Sequence, residues 1–259
     1  MSTENLSKIN KLLYSQPFGV VLTSSWLTKN GYSADLQKRY RKSNWLVSIG
    51  TGALKRSGDE VGIEGALYAL QHQLNLSVHI GATSALARLG RSQYLEFEGN
   101  QLYLFGSTAE SLPKWFMDYQ WGVKFDYFTS GFLPPDLGMT ELQTGNITLK
   151  YSGPIRAILE CIYLAPEKLS YIECYELLEG MSNVRPKTVQ LLLESCESIK
   201  VKRMFLFMAE KIGHTWIKHI VKDRINLGSG KRSLIANGVY VPEFKITVPK
   251  ELIENGGDL

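Results

Sequence analysis

Little in this sequence points to catalysis. Its 259 residues include three cysteines, Cys161, Cys174 and Cys196, and four histidines, His72, His79, His214 and His219. The cysteines are odd in number and far apart, so they form neither a disulfide framework nor a zinc knuckle, and they fit a reduced cytoplasmic protein. The histidines make no HExxH motif and no pair four residues apart on a helix, so no metal is expected. No GxSxG elbow is present. GSGKR at 228–232 departs from the phosphate-binding pattern GxxxxGK[ST]: Ile225 stands where the first glycine belongs, Arg232 replaces the hydroxyl, and no strand-loop-helix context surrounds it. Long apolar runs are missing too, since MFLFMA at 204–209 falls far short of a bilayer span. The start, MSTENLSKINKLL, has no basic segment leading into an apolar one, so secretion is not expected. The expectation is a cytoplasmic protein with no cofactor, no membrane segment and no catalytic constellation, hence not an enzyme.

Acidic residues are scarce in one place. Residues 1–62 hold nine Lys or Arg against four Asp or Glu, a net +5, and the remaining residues hold 20 against 21. So local an excess suits a polyanion such as nucleic acid, whose phosphates attract cations whatever the base sequence. A chain of 259 residues also exceeds one ordinary domain, and the charge split places a boundary near residue 75. The expected division is a DNA-binding domain over 1–75 and an α+β domain over 76–259.

Within the basic part, NLSKINKLLY carries Leu6, Ile9 and Leu13 at helical spacing and ends at QPFG. Thr23 and Ser24 cap a second helix, SSWLTKN, which stops at Asn30-Gly31, and Ser33 caps a third. Two helices joined by a tight glycine turn form a helix-turn-helix. On the third helix Leu36 and Tyr40 share one face, while Ala34, Gln37, Lys38 and Arg41 project from the other. Those four reach base edges, and Arg39 and Lys42 on the flanks reach phosphates. The segment NWLVSIGTGALKR then reads as a β-hairpin turning at Gly50-Thr51-Gly52, a wing whose Lys55 and Arg56 lie beside the duplex backbone. Trp45 and Tyr40 are expected in the core beneath it. The DNA-contacting set is thus Ser24, Ser33, Ala34, Gln37, Lys38, Arg39, Arg41, Lys42, Lys55 and Arg56.

Further on, IEGALYALQHQL is an amphipathic helix through Leu74, and SVHI, QLYLFG, VKFDYFTS and ITLKYS are strand-like around the short helix GATSALARLG. SGFLPPDLGMT reads as a loop. Helices start at Pro154, at the capping box of Ser170 and Glu173, and at Pro186. The helix KVKRMFLFMAEKIG opens with Lys200, Lys202 and Arg203, cations that oppose the macrodipole there, which leaves two readings open: a second anion-binding surface, or salt bridges to the acidic helices. SLIAN and VYVPEFKITV close the chain as strands, and ELIENGGDL frays.

These segments, in this order, resemble one known family. VVLTSSWLTKNGYSADLQKRYRKSNWL with GTGA, EGALYALQHQLNLSVHIGATSALARLG, LPKWF, SGPIRAILE, SIKVKRMFLFMAEK and LGSGKR are similar to the AbiEi antitoxins, the regulator half of type IV toxin-antitoxin and abortive-infection systems. The resemblance implies an N-terminal winged helix that binds inverted repeats in its own promoter as a repressor. It also implies a C-terminal domain that counteracts a nucleotidyltransferase-like toxin without requiring a stable complex. From the residues alone, two other classes stay open: a ligand-sensing transcription factor unrelated to a toxin, and an RNA-binding protein.

Overall fold

The structure, a computed structural model, describes residues 7–90 and 101–254. Leu6 and the terminal residues 255–259 therefore lie outside the described residues. The chain forms two compact units, the first from residues 1–79, 100–129 and 141–151, the second from residues 80–99, 130–140 and 152–259.

The first unit begins with α1 (Lys8–Ser15), where the Ser7 hydroxyl accepts from the Asn10 amide at 3.4 Å. β1 (Leu22–Thr23), α2 (Ser24–Lys29) and α3 (Ala34–Lys42) follow, then a hairpin of β2 (Leu46–Gly50) and β3 (Ala53–Arg56). The three strands pair antiparallel in the order β1-β3-β2. Helix, strand, helix, turn, helix, hairpin is the element order of a winged helix-turn-helix. The turn depends on Gly31, whose φ of +85° lies in the left-handed region that a side chain disfavours. Its amide donates to the Thr28 carbonyl at 3.1 Å and that of Tyr32 to Leu27 at 2.9 Å, closing the turn through the backbone.

The helix expected through Leu74 divides into α4 (Ile63–Tyr68) and a π-helical turn over Ala69–Gln73. The wider turn directs two glutamines inward. Gln73 accepts from the Thr23 amide at 2.8 Å and its hydroxyl at 3.1 Å, and donates to Val21 O at 2.8 Å. Thr23 is therefore spent on Gln73 and gives α2 no side-chain cap, contrary to the sequence expectation. Gln71 donates to Val78 O at 2.8 Å and Lys150 O at 3.1 Å, and accepts from the Lys150 amide at 2.9 Å. That fastens the turn to a five-stranded sheet of β4 (His79–Ile80), β5 (Gln101–Gly106), β6 (Lys124–Thr129), β7 (Met139–Thr144) and β8 (Ile147–Ser152), ordered β6-β5-β4-β8-β7. The first compact unit thus runs past residue 75, taking in most of this sheet. Short α6 (Lys114–Asp118) lays Trp115 against the wing at Gly50, where an added Cβ would fall 2.8 Å from that of Trp115.

The second unit holds α5 (Ala82–Arg88), α7 (Pro154–Leu164), α8 (Tyr171–Glu179), α9 (Pro186–Ser195) and α10 (Ile199–Ile212). Proline at N1 starts α7 and α9. The Ser170–Glu173 capping box is reciprocal, with bonds of 3.1 and 2.7 Å. α10 is buried from Val201 to Ala209 and packs on α7 and α8. A small sheet, β10 (Val239–Val241), β11 (Ile246–Val248) and β9 (Arg232–Ser233) in that order, precedes α11 (Glu251–Glu254). SLIAN supplies no strand beyond Ser233.

Candidate nucleic-acid interface

α3 is capped as its sequence requires, with the Ser33 hydroxyl accepting from the Leu36 amide at 3.3 Å; the hydroxyl proton stays available to donate. Ala34, Asp35, Lys38, Arg39, Arg41 and Lys42 are exposed, and Leu36 and Tyr40 are half-buried. Ala34, Lys38 and Arg41, at spacings of four and three, form one solvent-facing stripe. Asp35 also faces solvent in the first turn, where its charge suits the helix dipole.

Gln37 is a correction. It is buried, and its amide nitrogen donates to Tyr32 O at 2.7 Å, Thr28 Oγ1 at 3.0 Å and Ser24 O at 3.3 Å. Instead of reading bases, it locks α3 onto α2 and the turn. Half-buried Ser24 belongs to the same junction: its amide donates to Gly52 O at the wing turn at 2.8 Å. Trp45 is a second correction, since it is 47% exposed just before β2, with Val47 exposed two residues on. The wing core is filled instead by Leu46 and Leu54.

The two wing cations part ways because neighbours on a strand face opposite sides. Lys55 is half-exposed, and its ammonium donates to Asp59 O at 2.8 Å, leaving two protons free. Arg56 shares a face with Leu54 and is buried, donating to the Gln16 carbonyl with its guanidinium 4.4 Å from the Phe18 ring centroid. Burial lowers its pKa, and the charge of Asp59 partly restores it. The phosphate role expected for Arg56 is not available to a side chain so placed. Arg56→Ala should cost about 1.5–3 kcal/mol of stability, the worth of a charged hydrogen bond, and leave the salt dependence of DNA binding unchanged. Calorimetry and a salt titration check this; a flatter salt slope at unchanged Tm would return Arg56 to the phosphates.

The anion-binding reading of the cations opening α10 is also corrected, because none of the three offers a free charged end. Lys200 donates to Tyr163 O at 2.8 Å and Ala165 O at 2.7 Å, satisfying carbonyls at the C-terminus of α7, where a cation is favourable. Lys202 is buried. Arg203 is buried against a loop, donating through Nε to Leu227 O at 2.6 Å.

The three thiols are buried and free, and burial pushes Cys174 up to about 12, Cys196 up to about 11 and Cys161 well above its usual value. His72, His79 and His214 each meet a backbone carbonyl, at 2.9, 2.8 and 2.9 Å. Among the described residues no three His, Cys, Asp or Glu side chains gather as a metal site, and no helix is long and apolar enough to cross a membrane.

Comparison with known proteins covers nearly the whole chain. A family model described as the N-terminal domain of the AbiEi antitoxin, a transcriptional regulator, matches residues 5–97. A second, described as the AbiEi antitoxin and transcriptional regulator of a type IV toxin-antitoxin system, matches residues 99–249. No curated protein matches the sequence. The crystal structure of the RV2827C protein from Mycobacterium tuberculosis is similar in fold, with a TM-score of 0.58 at 15% identity over 96% of this chain and 93% of that one.

Proposed function

The chain belongs to the AbiEi family of antitoxins, transcriptional regulators of type IV toxin-antitoxin systems, and on that premise we propose that it represses its own operon by binding promoter inverted repeats. The same reading gives its second part the task of counteracting a nucleotidyltransferase-like toxin without a stable complex. That half rests on the family alone.

The observation that carries the DNA half is the outer face of α3, where Lys38 and Arg41 stand exposed while Gln37 and Leu36 fix the opposite side to the unit. A helix so anchored enters a major groove as a rigid body. Arg41 and Lys38 then meet guanine O6 and N7, Ala34 meets a thymine methyl, and Asp35 accepts from a cytosine amino group. Arg39, Lys42 and the free protons of Lys55 fall to the phosphates, and exposed Trp45 borders the same surface.

A salt titration of affinity for the chain's own upstream duplex tests the phosphate assignments. Arg39→Ala and Lys42→Ala should each flatten the slope of log affinity against log salt by about one unit, weakening specific and nonspecific DNA alike. Unaltered slopes, or equal retention of structured RNA, would contradict duplex docking by this helix.

A further inference from the structure

Arg203 is 1% exposed, yet no carboxylate meets it among the described residues. Its guanidinium is held by backbone carbonyls only: Leu227 at 2.6 Å, Gly230 at 2.7 Å, Gly228 at 3.0 Å and Lys245 at 3.1 Å. A buried charge without a counter-charge is costly. Arg232 adds a like charge nearby and, after burial, lowers the Arg203 pKa further.

The carbonyls have a second consequence. In a planar trans peptide the N–H points opposite to the C=O of the preceding residue. With the Gly228 and Gly230 carbonyls turned inward to Arg203, the amides of Ser229 and Lys231 point away from it, and neither has an acceptor among the described residues. Lys231, Arg232 and Lys245 are exposed around this loop. Lys231 lies 5.0 Å from the Tyr240 ring centroid, and Lys245 donates to Ser229 O at 3.5 Å, so both ammonium groups lie beside the loop. The neighbouring carboxylate of Glu243 is engaged by Lys222 at 3.4 Å.

We propose that the loop 228–232 is an anion site for a diphosphate or triphosphate group, inorganic or carried by a nucleotide. Two outward amides form a nest over the positive field of Arg203, and Lys231, Arg232 and Lys245 neutralise the ligand. Three exposed cations match a multiply charged phosphate chain better than the single charge of a nucleic-acid diester. The loop leads into β9, so the device differs from a phosphate-binding loop that opens a helix, and the missing Ile225-position glycine and Arg232-position hydroxyl do not bear on it. This site is independent of the DNA-binding reading.

The test titrates isotope-labelled full-length protein with inorganic triphosphate, then with ATP, without divalent metal and at constant ionic strength. The Ser229 and Lys231 amide resonances should move and saturate. By calorimetry, Lys231→Ala/Arg232→Ala should weaken binding by about tenfold or more, the loss of at least one charged hydrogen bond, and Lys38→Ala/Arg41→Ala should leave it unchanged. Equal affinity for both ligands assigns recognition to phosphate alone, and tighter ATP assigns it to a nucleotide. Resonance shifts confined to α3, no saturable shift at Ser229 and Lys231, or undiminished binding by the loop variant would overturn the proposal.

Discussion

The Lys38→Ala/Arg41→Ala variant is expected to bind the chain's upstream operator about 2–6 kcal/mol more weakly than the natural protein, since each base contact is worth about 1–3 kcal/mol. That is a loss of at least about thirtyfold. Both side chains are exposed and share the outer stripe of α3 with Ala34. The bonds that hold the helix in place belong to Gln37 and the Ser33 cap. Surface substitutions of that kind stay within about 0.5 kcal/mol of natural stability. Fluorescence anisotropy with labelled operator, beside a melting curve, therefore separates lost contact from lost fold. Unchanged affinity in a variant with an unchanged melting curve would sink the assignment of base contacts to this stripe.

Glu160→Ala should be among the most damaging single changes to stability. Glu160 is fully buried: Oε1 accepts from Arg156 Nε at 2.9 Å, and Oε2 accepts from the Ser152 hydroxyl at 2.6 Å and the Ala82 amide at 3.0 Å. Arg156 spends Nη1 on Leu137 O at 2.6 Å and Pro134 O at 2.7 Å, so it is held in place and cannot swing out to water when its partner is lost. Removing one member of a buried pair costs about 3–5 kcal/mol, because the other charge stays behind. In a protein of this size that lowers Tm by about 6–20 °C. The exposed pair Lys114–Asp118, with side chains 82% and 56% exposed, provides the contrast: Asp118→Ala should change stability by less than about 1 kcal/mol. Calorimetry of the two variants checks both. Similar small losses would mean that the buried network contributes little beyond filling space.

Those two networks also mark what the sequence could and could not disclose. Caps and turns were readable because they use local chemistry: Ser33, Gly31, Pro154, Pro186 and the Ser170–Glu173 box act within a few residues of themselves. The outer stripe of α3 was readable because Lys38 and Arg41 follow helical spacing. Gln37 was misplaced because helical periodicity tracks apolar residues, and a buried glutamine that finds three acceptors reads as polar surface. Arg56 carried a usable signal, since strict alternation on β3 puts it on the face of Leu54, opposite Lys55. Trp45 misled through the general preference of large aromatics for the interior. In α10 nearly every position from Val201 to Ala209 is buried, so no period singles out Arg203. β7 went unseen in MTELQT because it is an edge strand with few apolar residues. The first compact unit is discontinuous in sequence. Charge and local pattern carry no trace of such a return, because it depends on β8 coming back beside β4 and on Gln71 reaching Lys150.

Nuclease footprinting of the chain's own upstream region with full-length protein bears most directly on the central claim, that α3 and the wing dock on an operator duplex. Two half-sites of an inverted repeat should become protected together over a narrow concentration range, with centres about one helical turn, or a multiple of it, apart. The Lys38→Ala/Arg41→Ala protein should protect neither at the same concentrations. Protection of both half-sites by that variant, or no discrete site at concentrations where the natural protein already coats the DNA, would contradict the account.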